Sequence, residues 1–92
     1  MSVKLGDVTF DEVDYDAEAD VLYLHQGDPS AATDFDESPE GHALRFDGDG
    51  ALVGVTIVGA KRLLAKGGPI VVTVLDRLEL PLSEVSSIID AA

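Results

Sequence analysis

Cysteine is absent from the 92 residues, which excludes disulfides, a thiolate zinc site and a cysteine nucleophile together. Basic residues are scarce: 6 Lys and Arg stand against 18 Asp and Glu, a formal net charge of −12. Binding to a nucleic-acid backbone draws its affinity from clustered Lys and Arg, so no nucleic-acid partner is expected. Long apolar runs are missing too. No stretch approaches the ~20 residues that cross a bilayer, and Met1-Ser2-Val3-Lys4-Leu5-Gly6-Asp7 lacks the basic head and apolar core of a secretory signal. The expectation is a cytoplasmic protein with no membrane partner. What the chain does have is apolar residues, 46% of the total, too many for a disordered acidic chain. One domain of this length buries a modest share of its surface. With no disulfide to help, stability must come from core packing or association, and a homodimer is the expected form. The acidity has three readings: solubility in a salty cytosol, attraction to a basic protein partner, or cation binding.

Along the chain, residues 8–15 have strand character, with Val13 and Tyr15 alternating against Glu12 and Asp14. Asp16-Ala17-Glu18-Ala19 breaks the alternation, and Asp16 can accept a hydrogen bond from a backbone N–H two residues on. From Asp20 the pattern resumes, Leu22 and Leu24 on one side and Val21, Tyr23 and His25 on the other, so a hairpin is expected. After a loop around Pro29, residues 32–37 read as a short strand whose Asp34, Asp36 and Glu37 suit a sheet edge. Residues 42–47 alternate again, Leu44 and Phe46 on one face. Gly48-Asp49-Gly50 is a tight turn, and Val53, Val55 and Ile57 form the inward row of the next strand. Gly54, in mid-strand, signals a bulge or a close approach. Residues 60–66 suit a short helix ended by Gly67-Gly68. Residues 70–75 read as a buried strand that can run on to Leu80, stopped by Pro81. Ser83 suits the N-cap of a last helix with Leu82, Val85, Ile88 and Ile89 as its apolar stripe. The sum is one α+β domain over residues 1–92. It is an antiparallel, largely meandering sheet of five to six strands, with a short helix and a C-terminal helix packed against it.

Few residues suggest chemistry. Asp47-Gly48-Asp49-Gly50 invites a calcium reading, but an EF-hand counted from Asp47 would need oxygen ligands where Ala51 and Val58 stand. Hairpin turn chemistry accounts for it instead. His25 and His42 fall at opposite ends of the sheet, roughly 16 Å apart at about 3.3 Å per residue, too far to share a metal; surface or rim positions are expected. No serine sits in a Gly-x-Ser-x-Gly turn, and Lys66-Gly67-Gly68-Pro69 has neither the spacing nor the following helix of a phosphate loop. No catalytic, cofactor-binding or metal-binding residue is therefore assigned, no cofactor is expected, and a non-enzyme is anticipated. Tyr23 lies on the face opposite Leu22 and Leu24, where burial in the monomer or in a homodimer is favoured over exposure as an interface anchor. Tyr15, Asp16, Asp20, Tyr23, Asp47, Asp49 and Gly54 remain as interaction or structural-turn positions.

Two stretches carry a family resemblance. Tyr15-Asp16 is followed by Ala19-Asp20-Val21-Leu22-Tyr23-Leu24, and Phe46-Asp47-Gly48-Asp49-Gly50 leads into Leu52-Val53-Gly54-Val55-Thr56-Ile57. In these the sequence resembles DUF2283, a family of small prokaryotic domains of unknown function, over Val13 to roughly Leu64; the tail after Gly67 is less typical. Many members carry Glu where this chain has Thr56, so no role of that carboxylate carries over. The resemblance implies an antiparallel sheet with helical packing and no established activity. Members of such families often sit beside toxin genes, which by analogy implies an antitoxin-like partner of a basic protein. The functional expectation is a non-enzymatic protein-interaction module, homodimeric, with a basic protein as partner. The alternative is a small-molecule or cation-binding domain using the acidic turns.

Overall fold

The computed structural model describes residues 2–67, 70–74, 77–80 and 82–91. Strands form where β-branched and aromatic residues alternate with charged ones, and each break in the alternation is a turn. In chain order they are β1 (Val3–Leu5), β2 (Val8–Phe10), β3 (Glu12–Asp16), β4 (Val21–His25), β5 (Ala32–Glu37), β6 (Ala43–Asp47) and β7 (Leu52–Val58). Then follow α1 (Ala60–Ala65), β8 (Ile70–Thr73), β9 (Arg77–Leu80) and α2 (Leu82–Ala91). The fold is α+β, with a five-stranded sheet ordered β3-β4-β7-β6-β5 and antiparallel at every pairing. The link from β4 to β5 carries the chain to the far edge. β5, β6 and β7 then step back until β7 meets β4, with Leu22 opposite Ile57 and Leu24 opposite Val55.

Three details differ from the sequence reading. The strand expected over residues 8–15 is divided: β2 pairs with β1 in a separate hairpin, Asp11 intervenes, and β3 joins the main sheet. The run from Ile70 to Leu80 is a hairpin of β8 and β9, with Ile70 opposite Leu80 and Thr73 opposite Arg77; residues 75 and 76 lie outside the described residues. Doubling back lets Ile70, Val72 and Leu80 enter the same core, which a single extended strand could not achieve. Ser83 is inside α2, not at its N-cap. Its carbonyl accepts the Ser87 hydroxyl at 3.0 Å, the four-residue back-bond of a helical interior. Gly68, in the expected helix end, and Pro81, the expected strand stop, lie outside the described residues.

The core sits on one face of the main sheet. Leu22, Leu24, Leu44, Leu52, Val55 and Ile57 point into it, and Val3, Leu5, Phe10, Ile70, Val72, Leu80, Val85 and Ile88 meet them from the two hairpins and α2. Alternation then obliges the neighbours of those sheet residues to face the other way. That second face has no layer of described residues built over it.

Candidate functional site

The first motif builds a joint. Helix α1 starts after Gly59, which occupies the N-cap position at φ 75° and has no side chain to offer. The free N–H groups of a first helical turn need acceptors, and Asp20, from the loop between β3 and β4, supplies them. Its backbone carbonyl accepts from Gly59 N (2.8 Å) and Ala60 N (3.3 Å). Its Oδ1 accepts from Lys61 N (2.8 Å), and its Oδ2 from Arg62 N (3.3 Å). The Tyr15 hydroxyl donates to the same Oδ1 at 2.7 Å. Asp16 shapes the approach, accepting from Glu18 N and Ala19 N at 3.1 and 3.2 Å, and Asp20 itself takes a left-handed φ of 56°. Desolvation pushes the Asp20 carboxyl up, but the Lys61 N–H, the Tyr15 hydroxyl, the Arg62 N–H and the Arg62 charge outweigh it and hold it below its ordinary value. The Tyr15 hydroxyl is raised, first by its bond to Asp20. Both carboxylate oxygens of Asp20 are thus engaged in holding a helix to a sheet.

The second motif is also a turn. Asp47 Oδ1 accepts from Asp49 N and Ala51 N, both at 2.9 Å, while Asp47 N donates to Ala51 O and Gly50 N to Asp47 O. Asp49 contributes its N–H and leaves its side chain exposed. Gly54 is a close approach beside a bulge: it pairs with Arg45 and His25, and the register slips between Arg45 and Phe46. A Cβ there would meet the Arg45 side chain at 3.4 Å and His25 Cδ2 at 3.5 Å.

Of the two histidines expected at the surface or rim, His25 is half-buried and His42 is buried. Gly54 leaves room for the neighbouring His25 ring to lie against the sheet, and both of its ring nitrogens are buried without a partner among the described residues. His42 is 3% exposed. The turn before β6 tucks it in, through His42 N to Ser38 Oγ (3.1 Å) and Ser38 N to His42 O (2.8 Å). Its Nδ1 has no partner among the described residues. The two rings do not converge, since β7 separates their strands by about 10 Å. Among the described residues no group of three or more His, Asp or Glu is placed to hold a metal ion. A contact that sequence reasoning missed lies next to His42. Glu40 accepts from Thr73 N (2.8 Å) and Thr73 Oγ1 (2.6 Å), which holds its carboxyl down at about 2.

Desolvation lowers the His42 pKa from its ordinary 6.5, against the raising effects of the Glu40 charge and the Val71 backbone. The unfolded chain therefore takes up a proton near pH 6.5 that the folded chain refuses, and stability falls as pH drops through 6.5 toward the lower folded value. Melting temperatures recorded from about pH 7.5 down to about pH 5 are expected to fall by a few degrees in the wild type, and markedly less in His42→Gln. Below 4.5 the Glu40 carboxyl adds a second loss, since its folded value of about 2 means that its contribution disappears as pH falls through that interval.

The second face of the sheet is where apolar side chains meet solvent. Tyr23, Phe35 and Val58 are 42%, 69% and 48% exposed, and the register puts all three on this face. Asp14, Tyr23, Thr56, Ala43 and Glu37 form one row across the strands, and Glu12, His25, Gly54, Arg45 and Phe35 the next. Val21 and Val58 pair beyond them. Of the two forms of burial expected for Tyr23, in the monomer or in a homodimer, the first does not occur, because Val85 and Ile88 of α2 pack into the core on the opposite face. Arg45 lies over the Phe35 ring, 5.8 Å from its centre. On the same face stand exposed Glu12, Asp14 and Asp16 on β3 and Glu37 on β5.

A family model described as "Protein of unknown function (DUF2283)" matches residues 12–61. That span holds the five-stranded sheet, both turn motifs and the start of α1. No curated protein and no solved structure matches the chain. No helix among the described residues is long and apolar enough to cross a membrane.

Proposed function

The chain belongs to the DUF2283 family of proteins of unknown function, and from that premise we propose that it is a non-enzymatic protein-interaction module whose open sheet face docks a basic partner protein. The observation that carries this reading is the concentration of exposed Tyr23, Phe35 and Val58 on a single face. An apolar patch rimmed by polar residues is the usual form of a protein-binding surface, with aromatic residues as its anchors. Charge selects the partner. The rim carries Glu12, Asp14, Asp16 and Glu37 against one cation, Arg45, so a second copy would bring like charges together, and a Lys- or Arg-rich surface would neutralise them. Neutralising a basic toxin, the antitoxin-like role, is one form of this reading. The acidic turns offer less to the rival cation-binding reading, because Asp16, Asp20 and Asp47 already accept backbone N–H groups.

The test uses the full chain as bait in an extract of its source cells, with cross-linking. A captured protein whose cross-linked segment is rich in Lys and Arg, released by salt and lost with Tyr23→Ala and Phe35→Ala, supports the reading. Light scattering on the purified chain tests whether a second copy occupies the face instead. Twice the 9.7 kDa mass, reverting to one copy in Tyr23→Ala, would make the face a homodimer interface and overturn the basic-partner reading.

A further inference from the structure

A second surface lies on the other side of the β5 edge. Asp36 is opposite Leu44, so its side chain belongs to the core side of the sheet, while Phe35 belongs to the open face. Between this edge and the end of β8 is a cleft of about 400 Å³, within the range of small-molecule sites. Leu44, Phe46, Leu52 and Val74 give it an apolar floor, and Asp36 stands at the rim. No Lys or Arg is among the described residues that line it. The one hydroxyl among the described lining residues, that of Thr73, already donates to Glu40, as does the Thr73 N–H. Among the described lining residues the side chains left to meet a ligand, Asp36 and Glu37, are therefore acceptors with negative charge. Among the described residues Asp36 takes one hydrogen bond, from Glu37 N at 2.8 Å, and an ionised carboxylate has room for about four.

We propose that this cleft binds a small organic cation with an apolar body, an arylalkyl- or alkylamine whose ammonium pairs with Asp36 while its hydrocarbon covers Leu44, Phe46 and Leu52. An anion is repelled by the rim. A bare polyamine gains nothing from the floor. A neutral hydrocarbon forgoes the charge-assisted hydrogen bond, the stronger kind. The inference does not rest on the partner-docking reading: Glu37 borders both surfaces, but Asp36 and Phe35, on which they respectively depend, lie on opposite sides of β5, so the two readings can fail separately.

The experiment titrates the isotopically labelled full chain with phenethylamine, phenylacetate and putrescine in about 0.15 M salt, which screens attraction beyond roughly 8 Å. Phenethylamine is expected to bind saturably, with shifts concentrated at residues 36–37, 44–46, 52 and 73–74. Phenylacetate and putrescine are each expected to bind at least about tenfold more weakly, as loss of one good charged contact or of the apolar contact predicts. Asp36→Asn, an exposed substitution that leaves the spectrum folded, is expected to weaken phenethylamine about tenfold, and the control Asp14→Asn to leave it unchanged. Equal binding of putrescine, or an equal loss in the Asp14→Asn control, would mean counter-ion attraction to an acidic surface and overturn the proposal. So would shifts scattered over the carboxylates, or an amine affinity indifferent to Asp36→Asn.

Discussion

Asp20→Ala is expected to lower the melting temperature by about 15 °C, corresponding to about 3 kcal/mol in a domain of this size. Three losses add up. Lys61 N and Arg62 N lose the carboxylate that accepts from them, and removing a helix cap costs about 1 kcal/mol. The cap is charged and also receives the Tyr15 hydroxyl, which adds about 1 kcal/mol more. Alanine must then hold the left-handed φ of 56°, a further cost of about 1 kcal/mol. Two other substitutions separate these contributions. Asp20→Asn keeps an acceptor and tolerates the left-handed backbone, so about 1 kcal/mol is expected. Asp20→Gly relieves the backbone but leaves the helix uncapped, and falls between the two. The dependence on acid has a definite sign: the folded pKa is below the ordinary 3.8, so the cap's contribution is present above that value and is lost as pH falls through the folded one. Thermal melts followed by circular dichroism decide the matter. A drop of less than about 3 °C for Asp20→Ala, well under 1 kcal/mol, would mean that α1 is held by packing alone.

The same residue marks the limit of what can be read without coordinates. Local chemistry is legible: the alternation over residues 12–58, the Asx-turn at Asp16, the tight turn at 48–50 and the acidic edge at residues 32–37 all follow from neighbours a few positions apart. What Asp20 does is not, because its partners lie 41 and 42 residues downstream. The trace in the sequence is Gly59, a helix start with no Ser, Thr, Asp or Asn to cap it, which demands an acceptor from elsewhere. Glu40 is hidden in the same way, 33 residues from Thr73. Pairing of β4 with β7 escapes local reading too, since residues 26–31 could lead to either neighbour. Within residues 70–80 an unbroken apolar run has no period to reveal its reversal. The histidines mislead because polarity suggests solvent, whereas Gly54 beside one and the Ser38 turn beside the other make room to bury them. The open face was half legible: alternation places Tyr23 opposite the core, but its exposure depends on where α2 packs.

Residues 12–61 alone, the span that the family model matches, are expected not to fold. Of the fifteen buried residues in the core cluster, Val3, Leu5, Phe10, Ile70, Val72, Leu80, Val85 and Ile88 lie outside that span. Excision leaves Leu22, Leu24, Leu44, Val55 and Ile57 as one bare face of a sheet whose other face is already open. Each large apolar side chain returned to water costs about 1.5–3 kcal/mol, so these five together cost at least about 7 kcal/mol, comparable with the about 5–15 kcal/mol that holds a whole domain. The segment should give a disordered far-UV spectrum, or precipitate, under conditions where the full chain melts cooperatively. A cooperative melt from the segment would mean that the sheet and its Asp20 joint are self-sufficient. The two hairpins and α2 would then be additions to an autonomous unit, and the core face, rather than the open one, would become the first place to look for a partner, since in the isolated unit it is the larger apolar surface.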